Sequence, residues 1–393
     1  MMADAEQTLH ELLNTILDEK NYKPREINVQ TISSGGANFT SAIFLVDVTS
    51  PGRDDLNLFA KVAIIGDNMR KRMHADWLFE TERFVYTKLA KIYNDIQDKH
   101  NLPLEHRFVF PKFYGHNAEF GKETIVLENL VKNGYKPYNR FKSTDWEHAS
   151  VVIDNLAKFH ALSFAFAEDD PEEFEKLAAN MKFRIGSQPE EEDETLKALW
   201  MKMVERSVEH VDEDERIAVL NYMKKLPRWN EYYKPIGKAV IAHGDYRMSN
   251  ILFRKQDDKL DAITVDFQTV HGGCPVADLI YFIFLGSDKE FRDEYYDKLL
   301  DHYYQSLENA FKRLSIDAGE VYPRTKFDSD MKETLPLAVL LAVGLLPIVT
   351  IEAESAPRVD KDADVREFIV TPNELFAERF RGVIKDCIRL GAI

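Results

Sequence analysis

Cysteine is scarce in this chain: 393 residues contain only Cys274 and Cys387. Two thiols give no disulfide framework and suit a reducing compartment, which predicts a cytoplasmic protein. A surplus of positive charge is missing as well. Lys and Arg number 51 against 67 Asp and Glu, a formal balance of −16. That argues against a general nucleic-acid binder or a protein held on an anionic membrane, since both need a basic surface. A small anionic ligand stays possible, because a few local cations suffice. The opening MMADAEQTLHELL lacks the basic start and apolar core of a signal peptide. The apolar run at 335–351 falls short of the roughly 20 residues that span a bilayer. It also contains Pro336, Gly344 and Pro347, so a buried helix is expected there and membrane insertion is not. The phosphate-loop pattern G-x-G-x-x-G, internal repeats and low-complexity linkers are all absent.

What is present centres on residues 239–268, AVIAHGDYRMSNILFRKQDDKLDAITVDFQ. Residues 239–242 are an apolar run fit for a buried strand. His243-Gly244-Asp245 follows, then Asn250 and the apolar Ile251-Leu252-Phe253. A polar turn at 254–259 leads into a second strand at 260–265, closed by Asp266-Phe267-Gln268. Strands joined by such a turn bring their far ends together, so Asp245, Asn250 and Asp266 are expected to converge. Phosphoryl transfer to an alcohol needs that set. One carboxylate accepts the hydroxyl proton, while an amide oxygen and a second carboxylate hold magnesium on the nucleotide phosphates. A polar hairpin with three solvated side chains is the plain alternative.

Protein kinases carry H-R-D-x-x-x-x-N followed by D-F-G. The H-G-D-x-x-x-x-N and D-F-Q of this chain resemble instead the small-molecule kinases of the aminoglycoside phosphotransferase and choline kinase group. Upstream, residues 58–64 form a strand with Lys61 inside it. Leu58, Ala60, Val62 and Ile64 share one face; Phe59, Lys61 and Ala63 share the other. A lysine there is ordinarily solvated, but beside a kinase loop it becomes the partner of the phosphates, with Phe59 or Ala63 over the adenine. It needs an acid from the next helix, 77–92, which offers Glu80 and Glu82. Glu82 is chosen, because Glu80 lies on a different side of that helix. Residues 124–130 read as the last small-lobe strand and the hinge. There the carbonyl of Glu128 and the N–H of Leu130 would pair with the adenine edge.

Lys61, Glu82 with Tyr86, Leu127-Glu128-Asn129-Leu130, Ala157-Lys158-Phe159-His160-Ala161, His243-Gly244-Asp245 and Asp266-Phe267-Gln268 together resemble the ecdysteroid kinase-like family, over about 30–350. The resemblance implies an α+β, two-lobed kinase-like fold. A β-rich nucleotide-binding lobe would span 1–130, beginning with an amphipathic helix. A mainly helical lobe at 131–393 would carry the catalytic loop and metal site. ATP and Mg2+ are the implied cofactors, with Asp245 as base and Asn250 and Asp266 as metal ligands. Lys61, Glu82, Glu128 and Leu130 would serve the nucleotide. The acceptor would be a small, bulky, apolar alcohol such as an ecdysteroid. A choline or amino-alcohol kinase, or a catalytically silent binding protein, are the competing readings. The sequence does not decide the oligomeric state.

Five further expectations concern single segments and residues of the two lobes. Residues 33–38 form a Gly-containing turn that faces phosphates or merely closes a hairpin. His160 is a packed core histidine or an organiser of the catalytic loop. Residues 168–226 form a helical insertion on the substrate side, with Phe183, Leu199, Trp200 and Met203 available to line an apolar pocket. Residues 270–275 form a loop bordering the acceptor, and Asp278 braces the catalytic loop from a helix.

Overall fold

Leu9, Leu13, Ile16 and Leu17 recur at helical spacing in α1 (Met2–Glu19), and all four are buried. The protein is described by a computed structural model over residues 2–32, 40–184, 194–225, 227–352 and 370–393. The apolar face of α1 closes onto a sheet of β1 (Glu26–Ile32), β2 (Ser41–Thr49) and β3 (Leu56–Ala63). Two further strands, β4 (Phe113–Asn117) and β5 (Thr124–Glu128), complete it in the order β1-β2-β3-β5-β4. Every pairing is antiparallel. Leu58, Ala60 and Val62 pack toward α1 with Phe44 and Val46. The alternation of β3 therefore turns Phe59 and Lys61 to the opposite face. The expected turn at 33–38 lies outside the described residues.

Between β3 and β4 come α2 (Asp67–Arg72), α3 (Ala75–Phe84) and α4 (Ala90–Lys99). The single helix expected at 77–92 is thus longer, and a π-helical turn, Val85–Leu89, joins α3 to α4. Such a turn shifts the buried face partway along one continuous helix. Trp77, Leu78 and Phe79 are buried before it; Tyr93 and Ile96 are buried after it, in the core of the large lobe.

That lobe begins with β6 (Lys136–Pro137) and α5 (Trp146–Asp169), then α6 (Pro171–Asn180), α7 (Glu194–Val208), α8 (Glu213–Met223) and α9 (Trp229–Tyr233). Four short strands follow: β7 (Val240–Ala242), β8 (Ile251–Gln256), β9 (Lys259–Thr264) and β10 (His271–Gly273). The rest is helical: α10 (Pro275–Gly286), α11 (Lys289–Arg313), α12 (Ala318–Val321), α13 (Arg324–Thr334), α14 (Leu337–Gly344), α15 (Leu346–Thr350) and α16 (Glu374–Arg389). The fold is α+β, a small antiparallel sheet lobe over a larger helical one. The apolar run at 335–351 is buried as two helices rather than one. Pro347 in the first turn of α15 has no N–H to continue α14. Among the described residues no helix is long and apolar enough to cross a membrane.

Two other expectations change. Part of the loop expected at 270–275 is β10, paired with β7 and buried at His271 and Gly273. Within 168–226, Trp200 and Met203 pack against the large-lobe core. Trp200 meets Trp229 edge-on, with ring centroids 6.0 Å apart. Their helical spacing reports packing between helices, whereas Phe183 of the same segment does line a cavity of the large lobe. Of the two acidic runs there, Glu190 to Asp193 lie outside the described residues. In the other, Asp170 caps α6 by accepting from Glu173 N–H.

Candidate active site

The β8–β9 hairpin does the local positioning. Val265 N–H donates to the Asn250 carbonyl at 2.9 Å, so the start of β8 and the end of β9 are pinned together. His243 Nε2 lies 3.3 Å from the Val265 carbonyl, and Thr269 Oγ1 donates to the His243 carbonyl at 2.9 Å. The loops bearing Asp245, Asn250 and Asp266 are thereby drawn together. Gly244 is required between His243 and Asp245. Its φ is +84°, and a β-carbon there would lie 2.5 Å from the Thr269 carbonyl oxygen. Asp266 also sits in the left-handed region, at φ 65°, which aspartate tolerates better than most residues.

Asp245 is held on both carboxylate oxygens. Asn250 Nδ2 donates to Oδ2 at 3.0 Å and to the Asp245 carbonyl at 2.9 Å. Tyr281 donates its hydroxyl to Oδ1, and Arg247 Nε lies 3.2 Å from the same atom. Tyr281 and Arg247 are the two site residues the sequence reading missed. Arg247 stands two positions after Asp245. Tyr281 stands three after Asp278, on the same face of α10, and helical spacing from Asp278 was the available signal.

Lys61 Nζ lies 3.0 Å from Glu82 Oε1 and 2.7 Å from Asp266 Oδ1. Burial works against its charge, but Asp266 and then Glu82 outweigh it and hold its pKa above the ordinary value. Asp266 is depressed: burial opposes its charge, and Lys61 overcomes that. Burial dominates at Glu82 and raises its pKa, despite Lys61. Glu80 faces solvent and pairs with Arg83 at 4.0 Å.

A cleft of about 370 Å³ opens between the lobes over these groups. Ile43, Leu45, Phe59 and Leu127 form its apolar wall, and Lys61, Glu82, Asn250 and Asp266 its polar end. Glu128 and Leu130 line it at the hinge. Of the two residues expected beside Lys61, Phe59 lines the cleft and Ala63 is not among its lining. Arg140 closes the far side, donating to the carbonyls of Val349 and Ile351 at 2.7 and 2.6 Å.

Asp278, fully buried in the first turn of α10, accepts from the backbone N–H of His243 at 2.6 Å and of Gly244 at 2.7 Å. His160 Nε2 donates to it at 3.1 Å, while Tyr303 completes the bonding at His160 Nδ1 (2.8 Å). His160 is therefore both packed and tied to the catalytic loop through Asp278. Burial alone would raise the Asp278 pKa, but His160 and the loop amides bring it below the ordinary range.

Among the described residues no group of three or more His, Cys, Asp or Glu could hold a metal alone. Asn250 and Asp266 offer an amide oxygen and a carboxylate, the hard donors Mg2+ takes while phosphates and water fill its other positions. The residues present fit that use.

The sequence profile of the ecdysteroid kinase-like family matches residues 35–316. No curated protein matches. Among solved structures, the chain is similar to a macrolide 2′-phosphotransferase from Brachybacterium faecium, with 13% identity and a TM-score of 0.41. That similarity covers 84% of this chain and 92% of the other. An ethanolamine kinase from Plasmodium vivax gives 12% and 0.40, covering 92% and 82%. A microcompartment-associated aminopropanol kinase gives 11% and 0.42, covering 96% and 97%.

Proposed function

The chain belongs to the ecdysteroid kinase-like family, and on that premise we propose that it transfers the γ-phosphoryl group of ATP to a hydroxyl of a small molecule. The observation that carries this is the gathering of Asp245 and Asn250 with the Lys61–Glu82–Asp266 triad, the latter groups at the polar end of the interlobe cleft. Residues 1–130 serve as the nucleotide lobe and 131–393 as the catalytic lobe. The adenine lies on the apolar wall of the cleft, pairing with the Glu128 carbonyl and the Leu130 N–H. Lys61, oriented by Glu82, neutralises phosphate charge. Asp245 accepts the proton of the attacking hydroxyl, with Tyr281 and Asn250 fixing its carboxylate. Asn250 and Asp266 hold Mg2+, which when bound offsets the charge that builds on the phosphate oxygens. The paucity of cysteine supports a reducing, cytoplasmic setting.

For the acceptor we favour a bulky apolar alcohol, an ecdysteroid or a related steroid or plant compound, on the strength of the family. The net charge of −16 favours a second reading, a cationic amino-alcohol such as choline. Labelled ATP offered with an ecdysteroid, a plant phenol and choline tests both. Label should appear on the apolar alcohols. Label on choline alone would replace the acceptor and keep the kinase. A protein that binds ATP yet labels none of them would be the silent binding protein.

A further inference from the structure

A second cavity, of about 910 Å³, lies in the large lobe among the end of α5, α6, residues 182–183 and the stretch from α9 to β7. It shares no lining residue with the interlobe cleft. Its size falls within the range of about 300–1,000 Å³ typical of small-molecule sites. Phe164, Phe174, Phe183 and Tyr233 give it aromatic walls, and lysines and glutamates stand among its other lining residues. Two lining residues carry buried side-chain oxygens with no hydrogen-bond partner among the described residues: Asn230 Oδ1 and the Tyr233 hydroxyl. Leaving such atoms unpaired is costly, and a ligand that pairs them recovers the loss. An amide oxygen only accepts, so the ligand has to bring a donor.

The wall is also built against the catalytic loop. Phe183 stacks on Tyr233 with centroids 3.8 Å apart and planes 11° from parallel. Both rings meet His271, at 5.0 and 5.3 Å. His271 in turn crowds Gly244, where a β-carbon would lie 3.1 Å from its Nδ1. On the other side Phe183 meets Trp77 of α3 edge-on at 6.3 Å.

We propose that this cavity is a binding site, apart from the interlobe cleft, for an uncharged, multi-ring small molecule bearing a hydroxyl group. The rings supply apolar contact, and the hydroxyl donates to Asn230. Calorimetric titration of the full chain with estradiol, with and without a saturating non-hydrolysable ATP analogue, tests it independently of activity. Saturable binding is expected, with an affinity changed less than about twofold by the nucleotide analogue and assigned to this cavity by two substitutions in its lining. Ala179→Trp, on an exposed lining residue of α6, should weaken binding about tenfold or more by filling space the probe needs. Asn230→Leu should weaken it about fivefold by removing the acceptor. Both variants should bind the ATP analogue normally, which shows that they are folded. Absence of saturable binding, competition by the nucleotide analogue, or indifference to either substitution overturns the proposal.

Discussion

Asp245 meets two hydrogen-bond donors and the Arg247 guanidinium, and the chemistry proposed for it depends on their geometry. Asp245→Ala should lower turnover about a thousandfold, within the span of general-base contributions. ATP affinity should hold, because the role proposed for this carboxylate is toward the acceptor proton and not the nucleotide. Stopped assays beside nucleotide titration check this, and near-normal turnover in a folded variant would remove Asp245 as the base. The two residues proposed as metal ligands differ in charge. Asp266→Asn should weaken magnesium-dependent ATP binding more than Asn250→Ala, because only the former gives up a full negative charge to a hard cation. Calorimetry with and without magnesium separates them; equal, metal-independent affinities would count against both assignments. At this scale the gathering of the residues was legible where they lie close along the chain. Asp245 and Asn250 share one loop, and Asp266 closes the same hairpin. Tyr281 was harder to read, because it reaches Asp245 from a helix 36 positions on and only its spacing from Asp278 pointed to it. Only the fold brings it there.

Strands and helices hold this loop through Asp278. The carboxylate spends its acceptor capacity on two backbone amides and His160. Asp278→Asn turns an amide group toward those donors and should cost about 3 kcal/mol of stability. The pH dependence has a definite sign. The folded pKa of Asp278 is depressed, so its contribution is present above the unfolded value of about 3.9. It is lost as pH falls through the folded value. Denaturant melts from pH 7 down to acid should therefore show the Asn variant weakened at neutral pH and the gap to wild type closing in acid. A constant gap would show that the charge of Asp278 is not what matters. Element identity was readable from periodicity in α1, β3 and α5. It failed at β10, where a three-residue strand is too short for any pattern and is defined by its pairing with β7. It failed again at α14 and α15, where one helix was expected across a run that Pro347 divides.

For the molecule as a whole, the excess of acid over base bears on the acceptor. A cation drawn in by carboxylates should bind more weakly as salt rises, whereas burial of an apolar alcohol should not. The acceptor KM measured from low to high ionic strength is expected to stay flat for an ecdysteroid; a steep rise for the preferred acceptor would favour the amino-alcohol. The two-lobed plan itself was visible in the order of motifs. The packing of residues 168–226 was not, because helical spacing looks the same whether an apolar face meets a ligand or another helix.

The π turn at Val85–Leu89 lets one unbroken helix serve two masters. Before it, Glu82 is committed to Lys61; after it, Tyr93 is wedged against Phe159 with centroids 5.6 Å apart, in the large-lobe core. Withdrawing Glu82 would mean dragging Tyr93 and Ile96 out of that core, at a cost of several kcal/mol. The helix is thus a fixed strut and not a latch. A helix built this way keeps Glu82 on Lys61 as a standing condition of the fold.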